Sequence, residues 1–131
     1  MPVPLSAGAR ALLEKPVFAH LATLMRNGSP QVTPVWIDTD GTYILVNTAL
    51  GRVKERNVRR DPRIALSVTD PQDPYRRLQI RGRVVEIRTE GATEHIHKLS
   101  YKYRGQPYPL RPGEQRVILV IAPEHISGNA L

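Results

Sequence analysis

Two turn signals, Asn27-Gly28 and Asp40-Gly41, constrain the fold of this chain more than any other feature of its sequence. They join three strand-like runs that cover residues 17–25, 31–37 and 43–47. Asn-Gly and Asp-Gly pairs between apolar runs are typical of two-residue hairpins. Hairpins connect antiparallel strands, whereas parallel strands need long crossovers. The first half of the chain therefore predicts an antiparallel sheet.

The remaining elements extend this sheet and add helices to it. The expected pieces are a helix capped by Ser6 and ended by Pro16, strands at 64–68, 78–88 and 116–121, and a helix that Thr89 or Thr93 caps and that runs through Tyr103. A change of apolar phase between Gly82 and Val85 predicts a β-bulge. Six strands with hairpins first and helices later predict one mainly β, α+β domain over residues 1–131, with a barrel-like antiparallel sheet. No G-x-G-x-x-G loop links a strand to a helix, which argues against a dinucleotide-binding fold.

Pro30 and Pro34 bracket the second strand-like run. A proline cannot donate a hydrogen bond to a neighbouring strand. Pro34 therefore indicates an edge strand, a bulge, or a strand whose backbone faces a ligand. The heptapeptide T-D-P-Q-D-P-Y, residues 69–75, is expected to form a proline-rich loop.

The segment of residues 47–63 is rich in Lys and Arg and follows an apolar strand, so we expect a basic helix there. On a helical projection the inward side carries Leu50, Val53, Asn57 and Val58, with Lys54 in its middle, and the opposite side carries Arg52, Arg56, Arg59 and Arg60. A lysine on an apolar face near the unpaired N–H groups of a helix N-terminus predicts an anion site. Alternatively, Lys54 extends past Leu50 and Val58 to water.

Composition narrows the class of ligand. The chain has no cysteine, which excludes disulfides, thiolate catalysis and cysteine-held metals and favours a cytosolic location. We expect no membrane span and no signal peptide. A net charge of +7 favours anionic ligands, either phosphorylated small molecules or nucleic acid. Aromatics are only 5%, so a platform for stacking single-stranded nucleic acid is poorly supported.

Four passages together resemble a known superfamily. They are F-A-H-L-A-T-L-M-R-N-G-S-P-Q-V-T-P-V-W (18–36), G-R-V-K-E-R-N-V-R-R-D-P-R (51–63), D-P-Y-R-R-L-Q-I-R-G (73–82) and V-I-L-V-I-A-P-E-H-I-S-G (117–128). The chain is similar to the split-barrel proteins that include pyridoxamine 5′-phosphate oxidase, and within them to small proteins that use the deazaflavin coenzyme F420. The resemblance implies a six-stranded antiparallel split β-barrel with peripheral helices. It also implies a homodimer with cofactor sites at the interface.

The same resemblance implies which residues contact the cofactor. Along the ring it places Gln31, Val32, Thr33, Pro34 and Val35; at the phosphate it places Thr48, Ala49, Arg52 and Lys54; and from the partner subunit it brings Tyr75, Arg77 and Gln79. Ordinary structural roles compete with these. Tyr75 can simply pack the turn, Gln79 can be an outward strand residue, and Trp36 fits a core or dimer interface. Arg56, Arg59 and Arg60 either meet an anionic cofactor tail or are solvated.

The implied activity is hydride transfer from reduced F420 to a small conjugated substrate, for which no catalytic acid or base is named. FMN is the alternative cofactor, and a carrier or sensor that binds without turnover is another reading. The four histidines are expected to be structural. His95 and His97 are two residues apart on the expected helix, so they face different directions and form no metal pair. His20 is expected in a strand and His125 in the last turn.

Overall fold

The predicted hairpin at Asn27-Gly28 is present in the computed structural model, which describes residues 2–131. The Asp40-Gly41 turn is present too, but it joins residues 44–49 to a short strand at residues 38–39 and not to the 31–37 run. The described elements are α1 (Ala7–Glu14), β1 (Phe18–Leu24), β2 (Pro30–Trp36), β3 (Asp38–Thr39), β4 (Ile44–Ala49), α2 (Val53–Arg60), β5 (Arg63–Asp70), β6 (Asp73–Arg88), α3 (Ala92–Arg104) and β7 (Arg116–Ser127). The seven strands form one sheet in the order β2-β1-β5-β6-β7-β4-β3, and every neighbouring pair is antiparallel. The expected antiparallel, mainly β architecture is confirmed.

The sheet curls on itself. Strands β2 and β4 contact each other although four strands lie between them in the sheet order. Strand β2 is an edge of the sheet, which is one of the three positions that Pro34 in its interior allows. The curl brings this edge next to β4 and the start of α2, where the predicted anion site lies.

The core fills the inside of the curled sheet. Strand β5 alternates strictly between buried and more exposed residues, and its buried Ile64, Leu66 and Val68 face the interior. Helix α1 closes one end with Leu12 and Leu13, and Ser6 caps it by accepting from the Ala9 N–H at 3.1 Å, as predicted. Each buried Leu or Ile contributes about 1.5–3 kcal/mol relative to exposure.

The first eight residues of β7 are buried on both faces because α3 covers their outer side. There Ile118 and Val120 pack with Leu45 and Ala92 in a second, smaller cluster. The predicted bulge in β6 is confirmed by register shifts near Gly82 and Val84. Gly82 is required at the bulge, since a Cβ atom there would lie 2.1 Å from the Ala122 carbonyl oxygen.

Several local predictions were wrong. The strand count is seven because Asp38 and Thr39 form a short strand on β4 that is too brief for sequence periodicity to reveal. The expected 69–75 loop is a two-residue turn between Asp70 and Asp73, so β6 begins earlier than expected. The α3 N-cap is Gly91 and neither Thr89 nor Thr93. Gly91 has a left-handed backbone, φ 76°, and the helix begins at Ala92. His125 lies in β7, which continues to Ser127.

Candidate functional site

Lys54 lies in the first turn of α2 and lines a cavity of about 230 Å³ between that helix, β2, β4 and β7. The helix begins as predicted from the basic segment, but Leu50 precedes it in a turn and is 40% exposed instead of facing inward. Buried Asn57 and Val58 anchor the helix on the core side. Arg52 is the N-cap and makes no side-chain capping bond, so it lines the cavity beside Lys54 instead of lying on the opposite face.

Three cations converge on this cavity, which we call the cation pocket: Arg52, Lys54 and Arg116. Burial lowers the pKa of Lys54, and the charges on Arg52 and Arg116 lower it further. Glu114 accepts from Arg52 at 3.3 Å and from Arg116 at 2.7 Å. Within residues 2–131 no carboxylate pairs with Lys54. The pocket therefore has an unbalanced positive charge that an anionic ligand would neutralise.

Thr48 adds an unsatisfied hydroxyl to the same pocket. It is 1% exposed, and its Oγ1 has no hydrogen-bond partner in the described chain. A buried polar atom without a partner costs about 1–3 kcal/mol. The combination of an unpaired lysine and a buried, unpartnered hydroxyl fits the oxygens of a phosphate group, which accept from both.

Aromatic side chains form one wall of the pocket. The Trp36 ring stacks on Tyr103 with centroids 5.0 Å apart and 11° between the planes. Tyr108 meets Trp36 edge-on at 6.2 Å, and the Arg116 guanidinium lies 5.0 Å from the Tyr108 ring centroid. Burial raises the pKa of Tyr103 to about 12, and its hydroxyl accepts from the Ile37 N–H at 2.8 Å. A flat apolar wall beside a cluster of cations suits a planar anionic ligand.

Arg116, Asn47 and Tyr108 line the pocket but were missed by sequence reasoning. Arg116 reaches the site because β7 pairs with β4 in a register that sets it opposite Ala49. It is 6% exposed, and its Nε donates to Asn47 Oδ1 at 2.8 Å. The available signal was the position of Arg116 as the first residue of an otherwise apolar strand.

The twelve predicted cofactor residues divide into separate places. Five line the cation pocket: Pro34, Val35, Thr48, Arg52 and Lys54. Ala49 is buried behind it, opposite Arg116. Gln31 is engaged elsewhere, since its side-chain oxygen accepts from Thr23 at 3.3 Å. Thr33 Oγ1 is buried and, like Thr48 Oγ1, has no partner in the described chain.

The other four predicted residues lie away from the cation pocket of the same chain. Tyr75 is 80% exposed, and Arg77 is exposed near it, donating to the Tyr75 carbonyl at 3.2 Å. Val32 and Gln79 line a trough of about 420 Å³ on the outer face of the sheet. The ring contact of Val32, and the roles of Tyr75, Arg77 and Gln79 as contacts from a partner subunit, stay predictions.

This outer trough has small residues along its floor. Across the sheet, His20, Ser67, Gln79 and Ser127 stand opposite one another in register, and Ala22, Ala65, Arg81 and His125 form the next row. The small side chains of Ser67 and Ala65, which lie next to each other in the two rows on β5, leave the backbone there close to the surface. The trough is therefore shaped to receive something that lies along the sheet.

At the far end of α2 the arginines have partners. Arg59 pairs with Glu55, which is only 2% exposed. Arg60 donates to the Leu24 carbonyl at 2.5 Å and to Asn57 Oδ1 at 3.0 Å. Asn57 in turn donates to Thr23 Oγ1 at 3.0 Å, so these bonds tie α2 to β1. The N-terminal end of α2 thus presents cations to a cavity, whereas the arginines at its C-terminal end are bonded to other groups of the protein.

In the described chain, no three His, Asp or Glu side chains form a group that could hold a metal ion. His95 is a buried structural residue that bonds Asp38 and Asn47, and the His97 Nδ1 accepts from the Tyr108 N–H at 3.1 Å. None of the helices described between residues 2 and 131 is long and apolar enough to cross a membrane.

The chain is similar to known proteins in sequence and in structure. The family model described as pyridoxamine 5′-phosphate oxidase matches residues 5–130. A solved structure called F420 reductase is 37% identical, with a TM-score of 0.82, over 90% of this chain and 94% of that chain. A conserved hypothetical protein from Mycobacterium tuberculosis is 25% identical, with a TM-score of 0.70, over 95% of this chain and 84% of its own. HupZ of Group A Streptococcus shares the fold at 22% identity and a TM-score of 0.69, covering 95% and 99% of the two chains. No curated protein sequence matches at a significant level.

Proposed function

The chain belongs to the pyridoxamine 5′-phosphate oxidase family, and we propose that it is an oxidoreductase that binds coenzyme F420 and reduces a small conjugated substrate. One observation carries this proposal. Lys54 is half-buried beside two arginines and a buried, unpartnered Thr48 hydroxyl, with no carboxylate of residues 2–131 paired to it. The similarity to a protein called F420 reductase supports the choice of a deazaflavin.

The phosphate of the cofactor would lie in the cation pocket. Lys54 and Arg52 would donate to its oxygens, and the N-terminus of α2 would add backbone N–H groups and its positive dipole end. The Thr48 hydroxyl would gain the acceptor that it lacks in the protein alone. These residues bind and orient the cofactor, and none of them needs to exchange a proton during the reaction.

The ring would lie along the open edge of β2, next to Trp36. This strand pairs only with β1, so its other edge offers backbone groups to a planar ligand. Pro34 and Val35 line the pocket at that edge and would exclude water from one face of the ring. When bound, reduced F420 supplies the hydride. The protein would hold the ring and the substrate in contact. Because their freedom of motion is then lost on binding and not during the reaction, the barrier to hydride transfer is lower.

We propose further that the protein is a homodimer, with the outer trough against a second copy. A partner seated there would bring Tyr75, Arg77 and Gln79 of one chain toward the cofactor of the other. The exposure of Tyr75, at 80%, supports this arrangement, because a large exposed aromatic side chain near the start of a strand is common at interfaces. Sedimentation should therefore give twice the mass of 14.7 kDa.

FMN is the second candidate cofactor, favoured by the match to the pyridoxamine 5′-phosphate oxidase model. Its phosphate would meet the same Arg52 and Lys54. Titration of the apoprotein with F420 and with FMN, followed by fluorescence, separates the two. We expect submicromolar binding of F420 and weaker binding of FMN. Tight FMN binding with weak F420 binding would reverse the assignment, and binding of neither would contradict the anion site.

Turnover needs its own assay, since a carrier or sensor would bind without reacting. When the protein carries reduced F420, we expect the addition of conjugated ketones or quinones to reoxidise the bound cofactor.

Binding to nucleic acid is the remaining alternative. It would show affinity falling steeply with salt, and competition by short duplexes against F420.

A further inference from the structure

We propose that Asn47 and His95 are positioning residues for Arg116, and that protonation of His95 removes the Asn47 hydrogen bond that orients Arg116 in the cation pocket. The inference rests on the proposed function, because it concerns one of the three cations of that pocket. It goes further in assigning a pH-dependent coupling to residues that do not themselves donate to the anion.

The orientation of the Asn47 amide is fixed without reference to His95. Asn47 Nδ2 donates to the Ala92 carbonyl at 2.9 Å, and Asn47 Oδ1 accepts from Arg116 Nε at 2.8 Å. A carbonyl oxygen only accepts and a guanidinium only donates. A flipped amide would set its oxygen against the Ala92 carbonyl and its N–H groups against Arg116 Nε, and both bonds would be lost.

This orientation defines the tautomer of His95. Asn47 Nδ2 lies 3.0 Å from His95 Nδ1, so the second N–H of the amide donates and Nδ1 accepts. The ring hydrogen is then on Nε2, which donates to Asp38 Oδ2 at 3.0 Å. A continuous chain of hydrogen bonds thus runs from Asp38 through His95 and Asn47 to Arg116.

The charges around the imidazole come from three elements. They are Asp38 from β3, Lys98 and Lys102 from α3 itself, and Arg116 from β7. Burial opposes ionisation of Asp38, but hydrogen bonds from His95 and the Thr39 N–H, together with the charge on Lys98, lower its pKa to about 2. Asp38 therefore remains an anion and keeps the Nε2 hydrogen in place over the physiological range.

A second proton on His95 would have to go on Nδ1, where it meets the N–H of Asn47. Relief requires the amide to rotate, and rotation turns an N–H toward Arg116 Nε. Protonation of His95 therefore costs Arg116 its bond to Asn47, so that the bond to Glu114 at 2.7 Å alone orients the guanidinium. Acidification should weaken anion binding, even though an added positive charge near an anion would by itself strengthen it. The opposite signs separate a positioning role from a simple charge effect.

Two substitutions of similar size test the chain. The amide of asparagine lies at the distance of Nδ1 from the backbone, so His95→Asn keeps an acceptor for Asn47. The amide of glutamine reaches the distance of Nε2, so His95→Gln keeps the bond to Asp38 and loses the one to Asn47. Dissociation constants for F420 are measured at neutral pH and again as the pH is lowered, and thermal unfolding verifies that both variants fold.

We expect wild-type affinity to fall about tenfold on acidification, as for loss of one charge-assisted hydrogen bond. His95→Asn should bind F420 nearly as wild type does at neutral pH and should lose the pH dependence. His95→Gln should bind about tenfold more weakly at both pH values. Equal affinities for the two variants, or an unchanged acid effect in His95→Asn, would overturn the inference.

Nitrogen-15 NMR of the ligand-free wild type tests the same chain without any cofactor. The His95 signal, assigned by its loss in His95→Asn, should show hydrogen on Nε2 and a bare Nδ1 near neutral pH. Hydrogen on Nδ1 at neutral pH would overturn the inference even if F420 binds. If the wild type binds neither F420 nor FMN, the proposed function fails instead, and the tautomer is still read independently.

Discussion

Both ends of α2 carry basic side chains, but those at the N-terminal end surround an open pocket and those at the C-terminal end are bonded within the protein. At the N-terminal end, Arg52 and Lys54 meet Arg116 around a pocket, and Lys54 has no carboxylate partner in the described chain. At the C-terminal end, Arg59 pairs with buried Glu55, and Arg60 bonds the Leu24 carbonyl and Asn57. Just beyond the helix, Arg63 pairs with Asp61 at 2.7 Å.

The number of basic residues in a segment therefore does not locate a binding site. The site is located by the basic residues that lack a partner within the protein. A cation with its own carboxylate, as Arg59 has in Glu55, is already compensated and gains little from an incoming anion, whereas Arg52 and Arg116 share the single carboxylate of Glu114. A half-buried cation without a partner is destabilised in the protein alone and is stabilised by a ligand. The following substitutions sharpen or break this contrast, in order of decreasing effect on ligand binding.

Lys54→Met should produce the largest change. We expect binding of F420 to weaken by about 1.5–3 kcal/mol, the contribution of a charged hydrogen bond. The ligand-free variant should unfold at a higher temperature than the wild type, because the substitution removes a half-buried, unpaired charge and keeps the apolar stem. Fluorescence titration and calorimetry measure the two effects. Arg56→Met, on the exposed side of the same helix, is the matched control and should change neither.

Thr48→Val should weaken F420 binding by about 1 kcal/mol, since the hydroxyl finds its acceptor only in the ligand. Stability of the ligand-free protein should stay the same or rise, because valine has the same shape and no unpaired oxygen. Urea unfolding compares the two proteins. A marked loss of stability in Thr48→Val would mean that the hydroxyl has a partner in the protein, such as a bound water molecule.

Alkaline pH should weaken binding in the wild type. The lowered pKa of Lys54 means that the ligand-free protein loses this proton below the ordinary value of 10.5. A bound anion favours the charged form and raises the pKa. Affinity is therefore full below the ligand-free pKa and falls as pH rises through it. Lys54→Met should lack this decline, and an identical decline in both proteins would assign the effect to another group.

Arg59→Ala should leave F420 affinity within about twofold, because its partner is Glu55 and not the ligand. The change leaves the buried Glu55 carboxylate with the Gly51 N–H, at 2.8 Å, as its remaining partner. We expect a loss of about 1 kcal/mol of stability, modest because Arg59 itself is half exposed. A large loss of F420 binding without loss of stability would break the contrast between the two ends.

Sequence reasoning located the parts of this site that are local in the chain. Turn chemistry predicted the first hairpins, and helical projection placed Lys54 on an inward face near a helix N-terminus. Pro34, whose N–H is missing, limited the second strand to an edge, a bulge or a ligand-facing strand, and the structure shows that it is an edge. These inferences depend on a few neighbouring residues, so they do not require knowledge of the tertiary structure.

The missing parts of the site depend on contacts between distant residues. Arg116 and Asn47 are 69 positions apart and meet through the pairing of β4 with β7, whose register is not readable from periodicity. The pairing of Arg59 with Glu55 was local, yet it went unnoticed because burial of Glu55 depends on the packing of α2. Leu50 shows the reverse error, since a helical projection was extended to a residue that precedes the helix.

The most direct test of the account is a parallel titration of wild type and Lys54→Met with F420, each paired with its thermal unfolding in the absence of ligand. The account predicts that the variant binds F420 at least tenfold more weakly and yet unfolds at a higher temperature. Equal affinity in the two proteins would remove Lys54 from the site. Lower affinity together with lower stability would show that Lys54 holds the fold together, and would contradict the claim that it is an unpaired charge kept for an anion.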